Sequence, residues 1–109
     1  MAACATTAFR QSSSGLQYRI IKKGTGPKAK SGQEILLLET TSYRDGTILF
    51  SNENKGNPVK VKIGANQATQ AVDEALPGMR TGEIKEIIAP PYLVKNKRIL
   101  PMYILIHRL

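Results

Sequence analysis

The periodicity of this chain changes once, at Gly64, and that change limits the folds open to it. Before it, Val59-Lys60-Val61-Lys62-Ile63 alternates apolar and basic residues, the period of two of a strand with one buried face. After it, Ala68, Val72, Ala75, Leu76 and Met79 recur at spacings of three or four. They form one apolar stripe on a short helix over residues 66–76, with Gln67, Gln70, Asp73 and Glu74 covering the other side. Pro77-Gly78 stops that helix. Strand-like segments occupy residues 16–21, 35–43, 47–51, 83–89 and 102–109, and Asp45-Gly46 is a strong hairpin signal between two of them. The pattern predicts an α+β fold, a curved antiparallel β-sheet of about five strands forming a half-barrel wrapped over one short α-helix.

The chain has 109 residues, enough for a single hydrophobic core. Residues 1–14 lack periodicity and are expected to be a flexible N-terminal tail, leaving 15–109 as the domain. The longest run of Ile, Leu or Val, Ile35-Leu36-Leu37-Leu38, is four residues against the roughly 20 that a membrane helix needs, so no transmembrane segment is expected. Cys4 and His107 are the sole residues of their types, which leaves no intramolecular disulfide and no zinc site of Cys and His ligands.

The net charge of +8 is uneven. Residues 1–30 hold six bases and no acid, 31–94 six bases and eight acids, and 95–109 four bases and no acid. Basic ends around a near-neutral body attract polyanions in general, and one reading has them dock on a membrane or nucleic acid. No helix or aromatic strand concentrates the bases, so no dedicated nucleic-acid site is expected. The start Met-Ala-Ala-Cys is similar to the end of a bacterial lipoprotein signal, and the Ala-, Ser- and Thr-rich stretch that follows faintly resembles a transit peptide. Export, to a periplasm or as a protein lipid-anchored through Cys4, is favoured over a cytoplasmic address.

The usual catalytic arrangements are missing from the sequence. Gly24-Thr25-Gly26 precedes Pro27 and a strand rather than a helix, so it is not a phosphate loop. His107 lies in a terminal strand with no assignable nucleophile beside it, and Asp73 and Glu74 diverge by about 100 degrees on a helix, too far apart in direction for an acid/base pair. An activity here needs no nucleophile, metal, cofactor or proton shuttle.

Four segments in order carry a resemblance. Tyr43-Arg44-Asp45-Gly46-Thr47, then Asn57-Pro58-Val59-Lys60-Val61-Lys62-Ile63-Gly64, then Val72-Asp73-Glu74-Ala75-Leu76-Pro77-Gly78-Met79-Arg80-Thr81-Gly82-Glu83, then Ile88-Ala89-Pro90-Pro91-Tyr92, resemble the FKBP-type peptidyl-prolyl isomerases. The likeness spans about residues 15–109, and Ser14-Gly15-Leu16-Gln17-Tyr18 is similar to the lead-in strand of bacterial members. It implies a proline pocket floored by a helix residue, walled by aromatics and offered a main-chain N–H at the helix start. An ungapped count puts the floor, usually Trp, at Val72 and the residues before the helix at Ala68 and Thr69. The same count puts the family's strand tyrosine at Glu39, its wall phenylalanines at Leu49 and Val59, the aspartate at Phe50 and the loop tyrosine at Val94. Nearly every pocket aromatic is replaced. The resemblance therefore implies a prolyl isomerase or proline-segment folding chaperone of reduced potency, acting as a monomer on proline-containing polypeptides and binding macrolides weakly. The alternative is a catalytically inactive domain of the same fold serving as a protein-binding module or complex subunit. The expected substrate-binding residues are Leu49, Phe50, Val59, Ala68, Thr69, Val72 and Val94.

Overall fold

Strand β3, Glu34–Ser42, carries the longest run of Ile, Leu or Val in the chain and pairs with three other strands. The computed structural model describes residues 8–53, 57–65, 67, 69–94 and 100–109; Cys4, Ala68 and the basic run at 95–98 lie outside them. In chain order the elements are β1 (Arg10–Gln11), β2 (Gln17–Lys22), β3, β4 (Ile48–Ser51), β5 (Val59–Lys62), α1 (Gln70–Ala75), β6 (Ile84–Ala89), a 3-10 turn (Pro91–Leu93) and β7 (Met102–Arg108). The strands form one antiparallel sheet in the order β1-β2-β6-β7-β3-β4, with β5 also on β3.

The sheet thus has seven strands where the sequence pattern gave about five, within the expected α+β class. One difference is β1, whose two residues are too few to register as an alternating pattern. The strands read at 47–51 and 59–63 are both present, and the structure adds how they share β3. On one edge it pairs with β7 from Leu37 to Ser42, while on the other β5 takes Glu34 to Leu37 and β4 takes Thr40 to Ser42. Two short strands follow one another along a single edge of a long one.

Asn52 stitches the gap between them. Its main-chain N–H donates to Glu39 O (3.1 Å), its side-chain carbonyl accepts from Glu39 N (2.6 Å), and its amide nitrogen donates to Leu37 O (3.2 Å) and Asn57 O (3.1 Å). The residue is buried, and its two bonds to Glu39 stand where neither β4 nor β5 pairs with β3.

Helix α1 begins later than its apolar stripe predicts, at Gln70 rather than residue 66. Thr69 is the cause: its backbone is extended, and its hydroxyl accepts from Val72 N (3.2 Å), which fixes the N-cap at that position. Upstream, Gly64 takes a positive φ of 91°, Ala65 N donates to Lys62 O and Gln67 Oε1 accepts from Lys62 N, so the chain turns before it coils. Ala71, Val72, Ala75 and Leu76 are buried and meet Ile35, Leu37, Val61, Ile63, Ile87, Ile104 and Ile106 of the sheet in one continuous core.

Residues 8–14, assigned by composition to a tail, lie against the domain. Beyond the β1–β2 pairing, the Arg19 guanidinium sits 4.4 Å from the centre of the Phe9 ring and pairs with Glu86 at 2.7 Å. The Ser12 and Ser14 hydroxyls donate to the Glu74 carboxylate at 2.8 and 2.7 Å, and the Tyr92 hydroxyl donates to Ser14 O. These contacts are between polar groups scattered along the sequence, so no local pattern announces them.

Asn52→Ala removes the amide that satisfies Glu39 N, the buried Leu37 carbonyl and the Asn57 carbonyl. We expect it to destabilise the fold by about 2–4 kcal/mol, the effect of stranding one or two buried polar groups, measured as a lower urea midpoint at unchanged slope.

Candidate active site

The inner face of the sheet, the one turned to α1, can be read off the register, because residues directly opposite each other in an antiparallel pair share a face. One row runs Tyr18, Ile87, Ile104, Thr41, Phe50 across five strands. The next runs Ile20, Lys85, Ile106, Glu39, and a third brings Arg108, Leu37 and Val59 together. The middle of this face is buried under the helix, and its edge on the β4–β5 side is open. Phe50 is 48% exposed and Val59 44%, whereas their row neighbours Ile104 and Leu37 are almost fully covered.

The residues expected at a binding site are distributed as follows. Phe50 and Val59 share the inner face, on either side of Glu39 along β3. Leu49, 42% exposed, is the extra residue where the β3–β4 register shifts, with Thr41 opposite Phe50 and Ser42 opposite Ile48. Strict alternation would send Leu49 to the outer face, and the bulge frees it from that rule. Thr69 is half-buried at the start of α1. Val72 is 1% exposed and belongs to the core, as does Val94, which ends the 3-10 turn with its N–H on Pro91 O. Ala68 lies outside the described residues. The open apolar surface is therefore supplied by the sheet edge, and the helix contributes a packed floor beneath it.

Three charged side chains are embedded in the same face. Lys85 Nζ donates to Ala75 O (2.8 Å) at the end of α1, where the helix carries no basic residue of its own, and Arg108 donates to Met79 O (2.6 Å) just beyond. Both cations meet carbonyls at the negative end of the helix. Burial nonetheless pushes the Lys85 ammonium below its ordinary range, with Glu83 opposing that shift. Glu39 is half-buried and accepts from the Thr41 hydroxyl (3.1 Å). Burial raises its carboxyl above the usual value, and the Thr41 bond offsets only part of the effect.

Asp73 and Glu74, on the solvent side of the helix, also tie neighbouring segments: Asp73 Oδ1 accepts from Gly64 N (2.7 Å), and Glu74 holds the two serines. His107 is half-buried opposite Leu38 and Ile84, on the outer face. Among the described residues no group of three or more His, Cys, Asp or Glu side chains gathers as a metal site. The open part of this face is apolar, with the Glu39 carboxylate beside it.

The family model for FKBP-type peptidyl-prolyl cis-trans isomerases matches residues 26–99. The chain belongs to this family. The peptidyl-prolyl cis-trans isomerase FKBP19, chloroplastic, of Arabidopsis thaliana is 33% identical, over 78% of this chain and 38% of its own length. FK506-binding protein 2 of Yarrowia lipolytica is 28% identical, over 77% of this chain and 58% of its own. The chain thus spans less than two thirds of the length of these relatives. Among solved structures, AtFKBP13 superposes with a TM-score of 0.83 at 24% identity, covering 93% of this chain and 96% of that one. FkpA from Escherichia coli gives 0.81 at 18%, covering 93% and 50%. Both share the FKBP fold.

Sequence reasoning missed Asn52 and Lys85 as members of this region. For Lys85 the signal existed: alternation through Lys85, Ile87 and Ala89 puts all three on one face. For Asn52 it did not, because its role depends on two strands meeting a third.

The Glu39 carboxyl provides a pH test. Its pKa is raised in the folded state, so the native protein binds the proton more tightly than the unfolded chain, whose reference value is 4.5. The associated stability is complete below pH 4.5 and is lost as pH rises through the folded pKa. Glu39→Gln keeps an acceptor for Thr41 without the charge. It should raise Tm at pH 7, and the gain over the parent should shrink towards zero as pH falls below 4.5 in a series of thermal melts.

Proposed function

We propose that this chain is a peptidyl-prolyl cis-trans isomerase of reduced turnover, acting on exposed proline segments of unfolded or flexible polypeptides. The observation that carries this reading is the pair of open apolar side chains, Phe50 and Val59, at the β4–β5 edge of an inner face whose central apolar members Leu37, Ile104 and Ile106 are buried. Membership of the family supports it.

The chemistry asks little of the protein. Rotation about an X-Pro bond has a barrier of roughly 18–20 kcal/mol set by amide resonance, and the twisted imide has less charge separation than the planar one. A water-poor apolar surface therefore favours the twisted state, and no bond is made or broken. Phe50, Val59 and Leu49 form the apolar wall, Val72 and Val94 support it from the core, and Ala68 and Thr69 stand where the helix begins. The Thr69 main-chain N–H is the donor for the substrate carbonyl. The reduced turnover follows from the missing rings, each worth about 0.5–1.5 kcal/mol where it stacks on a partner. Several relatives are named as FK506-binding proteins, and we propose that this chain binds such macrolides weakly for the same reason. An address outside the cytosol, consistent with the relative named as chloroplastic, completes the reading.

The test is acceleration of isomerisation in a proline tetrapeptide, followed by exchange NMR. The parent should give measurable catalysis. Val59→Phe, which adds a ring at an open position, should raise kcat/KM by about 2- to 10-fold, and Phe50→Ala should lower it by a similar factor. Val72→Lys, a charge on the buried floor, should abolish it. Equal rates in the parent, Val59→Phe and Phe50→Ala, with unchanged circular dichroism, would mean that this face is not used for catalysis. The protein would then be a binding module.

A further inference from the structure

We propose that Glu39 sets the substrate preference of this face, and that the proline segments it takes best carry a lysine or arginine next to the proline. The inference rests on the isomerase reading above and deepens it.

The register fixes the geometry. Glu39 lies two residues from Leu37, which faces Val59, and two residues from Thr41, which faces Phe50, all on the inner side of β3. Its carboxylate therefore stands between the two open apolar side chains, each at a cross-strand diagonal of roughly 7–8 Å. A proline ring lying on Phe50 and Val59 brings its chain neighbours alongside Glu39. A lysine or arginine at a neighbouring position can lay its aliphatic stem on the apolar wall and set its charge on the carboxylate.

The nearby cations do not fill that role. Lys85 and Arg108 share the inner face, yet each donates to a carbonyl at the far end of α1, Ala75 O and Met79 O respectively. The hydrogen bond that the Glu39 carboxylate accepts among the described residues comes from the neutral Thr41 hydroxyl. The direction of its pKa is that of a desolvated acid with no counter-ion among the described residues. A half-buried carboxylate in this condition gains more from an arriving cation than a surface one does, because the medium around it screens less. An acidic residue at the same place would face like-charge repulsion.

The experiment uses tetrapeptides that differ only in the residue before or after proline, carrying lysine, leucine or glutamate, with isomerisation followed by exchange NMR at low salt. The lysine peptides should show a kcat/KM about tenfold above the glutamate peptides. In Glu39→Gln, with Tm checked by calorimetry, the ratio should fall to near one. Equal rates for lysine and glutamate peptides in the parent would overturn the inference and leave the isomerase reading standing. A ratio that persists in Glu39→Gln would overturn it as well, since Glu53 or Asp73 would then be the acid responsible. Failure to accelerate any peptide would overturn the isomerase reading. In that case titration of the same peptides by calorimetry decides on Glu39: tighter binding of the lysine peptide supports its role, and equal binding removes it.

Discussion

The sharing of one edge of β3 by two short strands is the constraint on which the rest of the structure depends. Had β4 and β5 been a single strand, the edge would have been a continuous ladder and its inner side chains would have packed in regular rows. Splitting it leaves a gap at Glu39, closed by the side chain and main chain of Asn52. The bulge at Leu49 belongs to the same solution, since the type of turn at Tyr43 to Thr47, with Gly46 at a φ of 95°, sets where β4 starts relative to β3. Phe50 and Val59 reach the inner face from two different strands, and the open apolar surface is the space between them.

The helix depends on the same arrangement from the other side. Its six residues are too few to be stable alone, and its three buried positions, with Leu76 at the C-cap, hold it to the sheet. The carbonyls at its end then receive Lys85 and Arg108 from β6 and β7, so two charges that lie in an apolar face are bonded where they sit. Glu39, nearer the open edge, receives only a hydroxyl among the described residues. Charge placement across this face thus grades from hydrogen-bonded cations under the helix to a carboxylate at the rim, a gradient that a bound peptide would meet.

The proposed isomerisation would draw on this arrangement. A reaction whose barrier is electronic delocalisation in an amide is accelerated by a surface that disfavours the delocalised, charge-separated state, and no titrating group has to act. The residues that other chemistries would recruit are occupied structurally here: Asp73 and Glu74 tie turns and the N-terminal segment, and His107 lies on the outer face.

By itself the sequence determined the class of fold, the place of the helix, and the buried positions Val61, Ile63, Val72, Ala75, Leu76 and Met79. Each of these rests on the period of nearby side chains, two in Val59 to Ile63 and about three and a half from Val72 to Met79, and on Asp-Gly and Pro-Gly stops that act within a few residues. It also carried, through the order and spacing of four segments, the likeness to the FKBP family. What only the tertiary structure decided depends on residues far apart in the chain. Thr69 delays the helix through a bond that competes with the apolar stripe. Ser12 and Ser14 dock a stretch of low complexity onto Glu74 some 60 residues away. Asn52 reads as one more polar loop residue until β3, β4 and β5 are brought together. Val72 and Val59 are both valines at positions expected to line a pocket, and one is sealed while the other is open, because exposure is a property of neighbours across the sheet and is not written in the residue.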